Sequence, residues 1–229
     1  MSESLDDRPV AATPTDAAAI GRRPAADAAS VLADAVRHLM DAAVLAETDD
    51  AERRAAADDI HAIAGQLSRT GYRATMPWPD AESMSRGDRP FSPVIGGSNP
   101  MAPPLVVTVL DDRSVVGECT LRPIHEGPPG AVHGGWVATL LDQVLGHANA
   151  AAGVGGYTAE LTVRYRRPTP YGVPLTVRAR TDSVDGRRVH ASGEVVADGV
   201  VTAEAIGLFL QPSERRIDEL RESVQQRSS

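Results

Sequence analysis

Apolar residues recur along this chain with two different periods, and the change of period divides it. Between residues 28 and 47, Leu32, Val36, Leu39/Met40 and Ala43/Val44 fall at helical spacing, with Ser30 as candidate cap. Between 50 and 69, Ala56, Ile60, Ile63/Ala64 and Leu67 do the same, and Gly71 is placed to end that helix. Two amphipathic helices that cover something are expected here. From residue 105 the runs become short and β-branched. Strands are predicted over 105–110 and 113–121, parted by Asp111-Asp112. A glycine-opened helical segment, 134–151, follows. Four more strands are predicted over 158–166, 173–184, 187–197 and 200–210. They are separated by a turn from Pro168 to Gly172 and by two Asp-Gly pairs, at 185–186 and 198–199, which signal hairpins. Two strands, one long apolar helix and four antiparallel strands make an α+β layer structure, with the sheet wrapped around the helix.

The flanks lack such periodicity. Residues 1–26 are rich in Ala, Asp, Pro and Arg and read as a tail without regular structure. Residues 72–104 form a proline-rich connector in which Trp78 and Phe91 serve to pin it to the surface. Residues 213–226 suit a polar terminal helix. The hydrophobic fraction of 42% is that of an ordinary globular protein. No apolar run approaches the roughly 20 residues of a membrane span. The opening residues, Met1 to Pro9, lack the apolar core of a signal peptide, so a cytoplasmic protein is expected. A formal charge of −8 disfavours nucleic acid as partner. There is no lysine, which excludes Schiff-base chemistry, pyridoxal-phosphate attachment and a P-loop. Cys119 is the sole cysteine and reads as a small buried strand residue, so no intrachain disulfide or thiolate zinc cluster is expected.

The chemistry concentrates in residues 128–146. His133 and the pair Gly134-Gly135 open the helix, and Asp142 sits among Val137, Leu140, Leu141, Val144 and Leu145. A carboxylate in such company should be desolvated and needs a reason to be there. Paired glycines at a helix start let a ligand approach backbone N–H groups, and a helix N-terminus favours developing negative charge. That suits the oxyanion formed when a carbonyl carbon is attacked. Asp142 is then the attacking carboxylate or the base that activates water, and His133 orients the carbonyl. These are the ingredients of acyl transfer or hydrolysis. The eight residues from Gly134 to Asp142 span roughly 12 Å at helical rise. One helix therefore cannot bring its own carboxylate to its own N-terminal amides, and a two-fold dimer with shared sites is expected. His125, His133 and His147 lack metal-ligand spacing. Gly153 to Gly156 follow a helix rather than a strand, and there is no Gly-x-Ser-x-Gly elbow. Neither metal nor cofactor is expected.

The run from Glu126 to Asp142, Glu-Gly-Pro-Pro-Gly-Ala-Val-His-Gly-Gly-Trp-Val-Ala-Thr-Leu-Leu-Asp, resembles the signature of hotdog-fold acyl-CoA thioesterases. It is most similar to the phenylacetyl-CoA thioesterase-like group and its long-chain acyl-CoA hydrolase relatives. Residues Tyr157 to Gly172 resemble the strand and proline-containing turn that follow in that family. The resemblance covers roughly 95–212. It implies a hotdog domain there, preceded by a tail (1–26) and a helical extension with connector (27–94), and followed by a polar helix (213–229). It further implies hydrolysis of acyl-CoA by a homodimer or dimer of dimers. Asp142 would be base or nucleophile, the Gly134 N–H, with Gly135 as candidate second donor, would polarise the thioester carbonyl, and His133 would orient carbonyl or water. Thr158 would hydrogen-bond the carboxylate. Some relatives carry asparagine six positions before the histidine, where this chain has Gly127, so a water-orienting amide is missing and Glu126 is not an assumed replacement. Arg164, Arg166 and Arg167 form the main basic cluster, with Arg164 and Arg166 on the strand face opposite Tyr165; they are candidates for the phosphates of coenzyme A or an exposed strand face. The alternatives are a hotdog hydratase or dehydratase of enoyl thioesters and a non-catalytic acyl-CoA sensor.

Overall fold

A computed structural model describes residues 19–20, 27–73 and 89–213. Strand β1 (Ala19–Ile20) and helices α1 (Ala28–Leu45) and α2 (Asp50–Leu67) come first. They are followed by β2 (Val106–Val109), β3 (Val115–Thr120), a short 3-10 turn (Pro123–His125) and helix α3 (Gly134–Ala151). Strands β4 (Tyr157–Tyr165), β5 (Pro174–Asp185), β6 (Arg188–Ala197) and β7 (Val200–Leu210) complete the order. All pairings are antiparallel, in the order β1-β2-β3-β5-β6-β7-β4. The α+β hotdog architecture is therefore present, and β4 lies at one end with β7 as its only neighbour among the described residues. Among those residues no helix is long and apolar enough to cross a membrane.

The helix bounds follow from burial. Val137, Leu140, Leu141, Val144, Leu145 and Ala148 form one stripe at i, i+3, i+4, i+7, i+8 and i+11, and all are buried against the sheet. Many strand residues of this core are small, among them Ala179, Ala191, Val195, Ala203 and Ala205, alongside the larger Leu175 and Phe209. Helix and sheet consequently lie close. A Cβ added at Gly117 of β3 would stand 3.0 Å from Val144 Cγ2. The β6–β7 hairpin turns on Asp198-Gly199, both at positive φ (+49° and +76°), the backbone of a type I′ turn.

The extension differs from expectation in three ways. The tail is not wholly without structure, because Ala19–Ile20 pair with Thr108 and Val107 at the β2 edge. The cap of α1 is Asp27 rather than Ser30, its carboxylate accepting the Ser30 N–H at 2.7 Å. Helix α1 also docks through a shifted face: Ala33 and Arg37 are buried and Val36 and Met40 half-buried, whereas Leu32, Leu39 and Val44 are exposed. The Arg37 guanidinium donates to the carbonyls of Gly97, Asn99 and Ala102 and to the Asp34 carboxylate, and so binds the connector to the helix. Helix α2 has no buried residue, and among the described residues its apolar face (Ile60, Ile63, Leu67) lies exposed. Phe91 is half-buried in the connector; Trp78 and the terminal helix expected over 213–226 fall outside the described residues, apart from Ser213.

Candidate active site

The loop that delivers α3 is closed on itself before the helix begins. The Gly127 N–H donates to the Ala131 carbonyl, and Gly130, at φ +80°, donates its N–H to Glu126 Oε1 at 2.6 Å. Val132 N–H reaches the Thr169 carbonyl, and His133 N–H reaches that of His125, each at 2.8 Å. Glu126 is thus spent on the loop and does not replace the missing amide. Gly127 has its own steric cause: a Cβ there would lie 2.7 Å from His133 Cα. No side chain fits where relatives carry asparagine unless His133 moves.

His133 is the N-cap of α3, and its ring does the capping: Nδ1 accepts the Gly135 N–H at 3.0 Å. This separates the two glycines. The Gly135 N–H, the candidate second donor, is engaged by the His133 ring. The Gly134 N–H has no acceptor among the described residues and remains free at the positive end of the helix. Tyr165 adds a contact that sequence reasoning missed. Its O–H donates to the Gly134 carbonyl at 2.9 Å, and a Cβ on Gly134 would meet its ring at 3.2 Å. Alternation did place Tyr165 opposite the arginines; nothing local indicated that it would reach the start of α3.

Asp142 is half-buried rather than sunk in the core, because it lies on the flank of α3 beside the apolar stripe. Thr158 Oγ1 donates to its Oδ1 at 2.7 Å. A β-bulge makes this contact. Leu161, Val163 and Tyr165 pair with Gly207, Ala205 and Ala203 on the helix-facing side of the sheet. Strict alternation from them would turn Thr158 outward. The pairing shifts between Thr158 and Glu160, leaving Ala159 unpaired, and Thr158 comes to stand opposite the buried Phe209. Residues directly opposite share a face, so the bulge re-aims the hydroxyl at the helix.

The arginines are less united than their spacing suggests. Arg164 stands opposite Glu204 on the sheet face away from α3. Arg166 donates through Nε and Nη2 to Glu204 Oε2 at 2.9 and 2.7 Å, a half-exposed ion pair on the strand surface. Arg167 gives its backbone N–H to the Thr202 carbonyl. Two histidines flank the site without joining it. His125 is 3% exposed, accepts the Arg122 N–H at Nδ1 and meets Trp136 edge-on with centroids 4.7 Å apart. His147 is held by the Gln143 carbonyl at 2.8 Å. Burial pulls both below the ordinary histidine value. Burial also pushes the Cys119 thiol up to about 12, which leaves it unreactive.

Comparison with known proteins fits this arrangement. The thioesterase superfamily model matches residues 129–204, the stretch holding His133, Gly134, Asp142, Thr158 and Tyr165. The chain is 35% identical over 91 residues to acyl-coenzyme A thioesterase THEM4 of Xenopus laevis, covering 39% of this chain and 41% of that protein. It is 28% identical over 88 residues to the human acyl-coenzyme A thioesterase THEM5, covering 38% and 36%. The chain therefore spans well under half the length of these curated relatives. A crystal structure of a thioesterase superfamily protein is similar over nearly its whole length: 38% identity, TM-score 0.77, 85% of this chain and 96% of the other. With that coverage, and with the matched segment holding the free amide and the hydroxyl-bound carboxylate, the chain belongs to the thioesterase superfamily.

Proposed function

We propose that the protein hydrolyses acyl-CoA to a free carboxylic acid and coenzyme A, in sites shared between two copies of the chain. The observation that carries this reading is the Thr158–Asp142 hydrogen bond. It fixes Oδ1 and leaves Oδ2 without a partner among the described residues. Oδ2 then either takes the proton of a water that attacks the thioester carbonyl carbon, or attacks that carbon itself to give an anhydride that water opens. In both routes the carbonyl oxygen becomes an oxyanion that accepts the Gly134 N–H of the second copy. Collapse then breaks the C–S bond, and the thiolate leaves and takes a proton. A second copy is required because Gly134 and Asp142 are roughly 12 Å apart along one helix. The end position of β4 offers an edge for the pairing. Arg164, Arg166 and Arg167 are the candidate cations for the phosphates of coenzyme A, Arg166 being also paired with Glu204. The names of the THEM4 and THEM5 relatives support the substrate class.

The test is thiol release from a panel of acyl-CoAs. Asp142→Ala is expected to abolish turnover while keeping the fold; full hydrolysis of every active acyl-CoA by a folded Asp142→Ala protein would sink the proposal. Mixed dimers of Asp142→Ala and Gly134-altered chains are expected to regain one working site, and no recovery in verified mixed dimers would exclude the shared arrangement. In single turnover in heavy-oxygen water, an enzyme oxygen in the product marks an anhydride opened at the Asp142 carboxyl carbon, an outcome the general-base route does not give.

A further inference from the structure

Three groups at the start of α3 form a line of hydrogen bonds through a single peptide unit. The Tyr165 O–H donates to the Gly134 carbonyl at 2.9 Å. The N–H of that same peptide, belonging to Gly135, donates to His133 Nδ1 at 3.0 Å. A carbonyl that accepts a hydrogen bond polarises its amide and strengthens the donation from the other end. A neutral imidazole whose Nδ1 accepts an N–H carries its own proton on Nε2.

We propose that Tyr165 is a positioning residue that acts through the Gly134–Gly135 peptide to hold His133 with its proton on Nε2. His133 is exposed, and in this tautomer its free edge offers an N–H donor beside the free Gly134 N–H. Two donors on neighbouring residues can then meet one carbonyl oxygen. The hydroxyl does not touch the reacting atoms; it sets which nitrogen of the histidine faces them. The same contact explains the residue type at 134. A Cβ at 134 would stand 3.2 Å from the Tyr165 ring, so any larger residue there crowds the ring that delivers the hydroxyl. Alternation from Leu161 and Val163 puts Tyr165 on the helix-facing side of β4. The reach to Gly134 thus comes from regular strand geometry and needs no bulge.

The consequence for rate rests on the thioesterase reading, whereas the tautomer does not, and the experiment separates the two. Tyr165→Phe keeps the ring and deletes only the hydroxyl. By nitrogen-15 NMR of the ring, His133 in the native protein is expected as the Nε2–H tautomer, and Tyr165→Phe is expected to raise the Nδ1–H fraction. A native ring protonated mainly on Nδ1, or a ring unchanged in Tyr165→Phe, overturns the proposal whatever the activity. In turnover, Tyr165→Phe is expected to lower kcat about tenfold with KM within about twofold, the size of one lost hydrogen bond. In a His133→Ala background the same change is expected to cost nothing further. An equal loss in that background shows that Tyr165 acts by another route and overturns the proposal. Should the native protein release no thiol from any acyl-CoA, the function fails and the NMR arm still decides the role of Tyr165.

Discussion

Helices α2 and α3 are each 18 residues long, and they are made by different forces. Helix α2 has the better local signals: a complete capping box of Asp49 and Glu52, with Asp50 adding a second acid in the first turn. Helix α3 opens with two glycines, has no acid in its first turn, and is capped by a histidine. Yet α3 buries seven residues and α2 none. Tertiary packing, rather than propensity, holds α3 in place. That packing lets its first turn forgo the usual caps, and it leaves the Gly134 amide there without an acceptor among the described residues.

The comparison is most sharply broken at the core stripe. Leu141 is 0% exposed, and Leu141→Ala is expected to lower the unfolding free energy by about 2–5 kcal/mol in denaturant titration. Leu67→Ala on the exposed face of α2 should stay within about 0.5 kcal/mol. Comparable losses from the two would refute the contrast. Next in size, Gly134→Ala forces the Tyr165 ring aside and should cost about a hundredfold in kcat/KM with little change in thermal midpoint.

Acid should reveal the buried histidines beside α3. His125 and His147 lie below their ordinary value of 6.5, so the unfolded chain binds more protons over that interval. Their stabilisation is complete above the unfolded value and is lost as pH falls through it toward the folded one. The thermal midpoint should therefore drop between about pH 7 and pH 5, with a shallower slope in His125→Asn. An unchanged slope would remove His125 from the account. The smallest effects are the most diagnostic. Gly146 in α3 and Gly65 in α2 both have open space where a Cβ would go. Gly146→Ala should add roughly 0.5–1 kcal/mol to global stability. Gly65→Ala should raise helical content by circular dichroism and leave the cooperative midpoint unchanged.

Where periodicity coincided with burial, the fold was legible before any coordinates. The α3 stripe and the Asp-Gly hairpin at 198–199 declare themselves in residue order, and helix 134–151 has the expected bounds. Where a polar group overrode the apolar pattern, the sequence misled. Leu32 and Leu39 mark the apolar face of α1, but the buried side chain is Arg37, whose guanidinium meets three connector carbonyls sixty or more residues away. The site divides in the same manner. His133, Gly134 and Asp142 stand out because their residue types are unusual for their places in a helix. Thr158 is visible only through family resemblance, since strict alternation sends it outward and the bulge at Ala159 has no glycine or other local mark. Tyr165 escaped for a related reason: a tyrosine in a strand is ordinary until its distant partner is known.

The Arg37 guanidinium has a consequence for how the molecule comes apart. Freeing α1 strips the donor from the Gly97, Asn99 and Ala102 carbonyls together, and also breaks the hold of Arg122 on Asp41 and on the Arg37 carbonyl. Arg122 in turn gives its backbone N–H to His125, whose own carbonyl receives the His133 N–H. The extension is therefore two parts of unequal standing. Helix α2 has no link in this chain of hydrogen bonds among the described residues, whereas α1 is joined through Arg122 and His125 to the residue that caps α3.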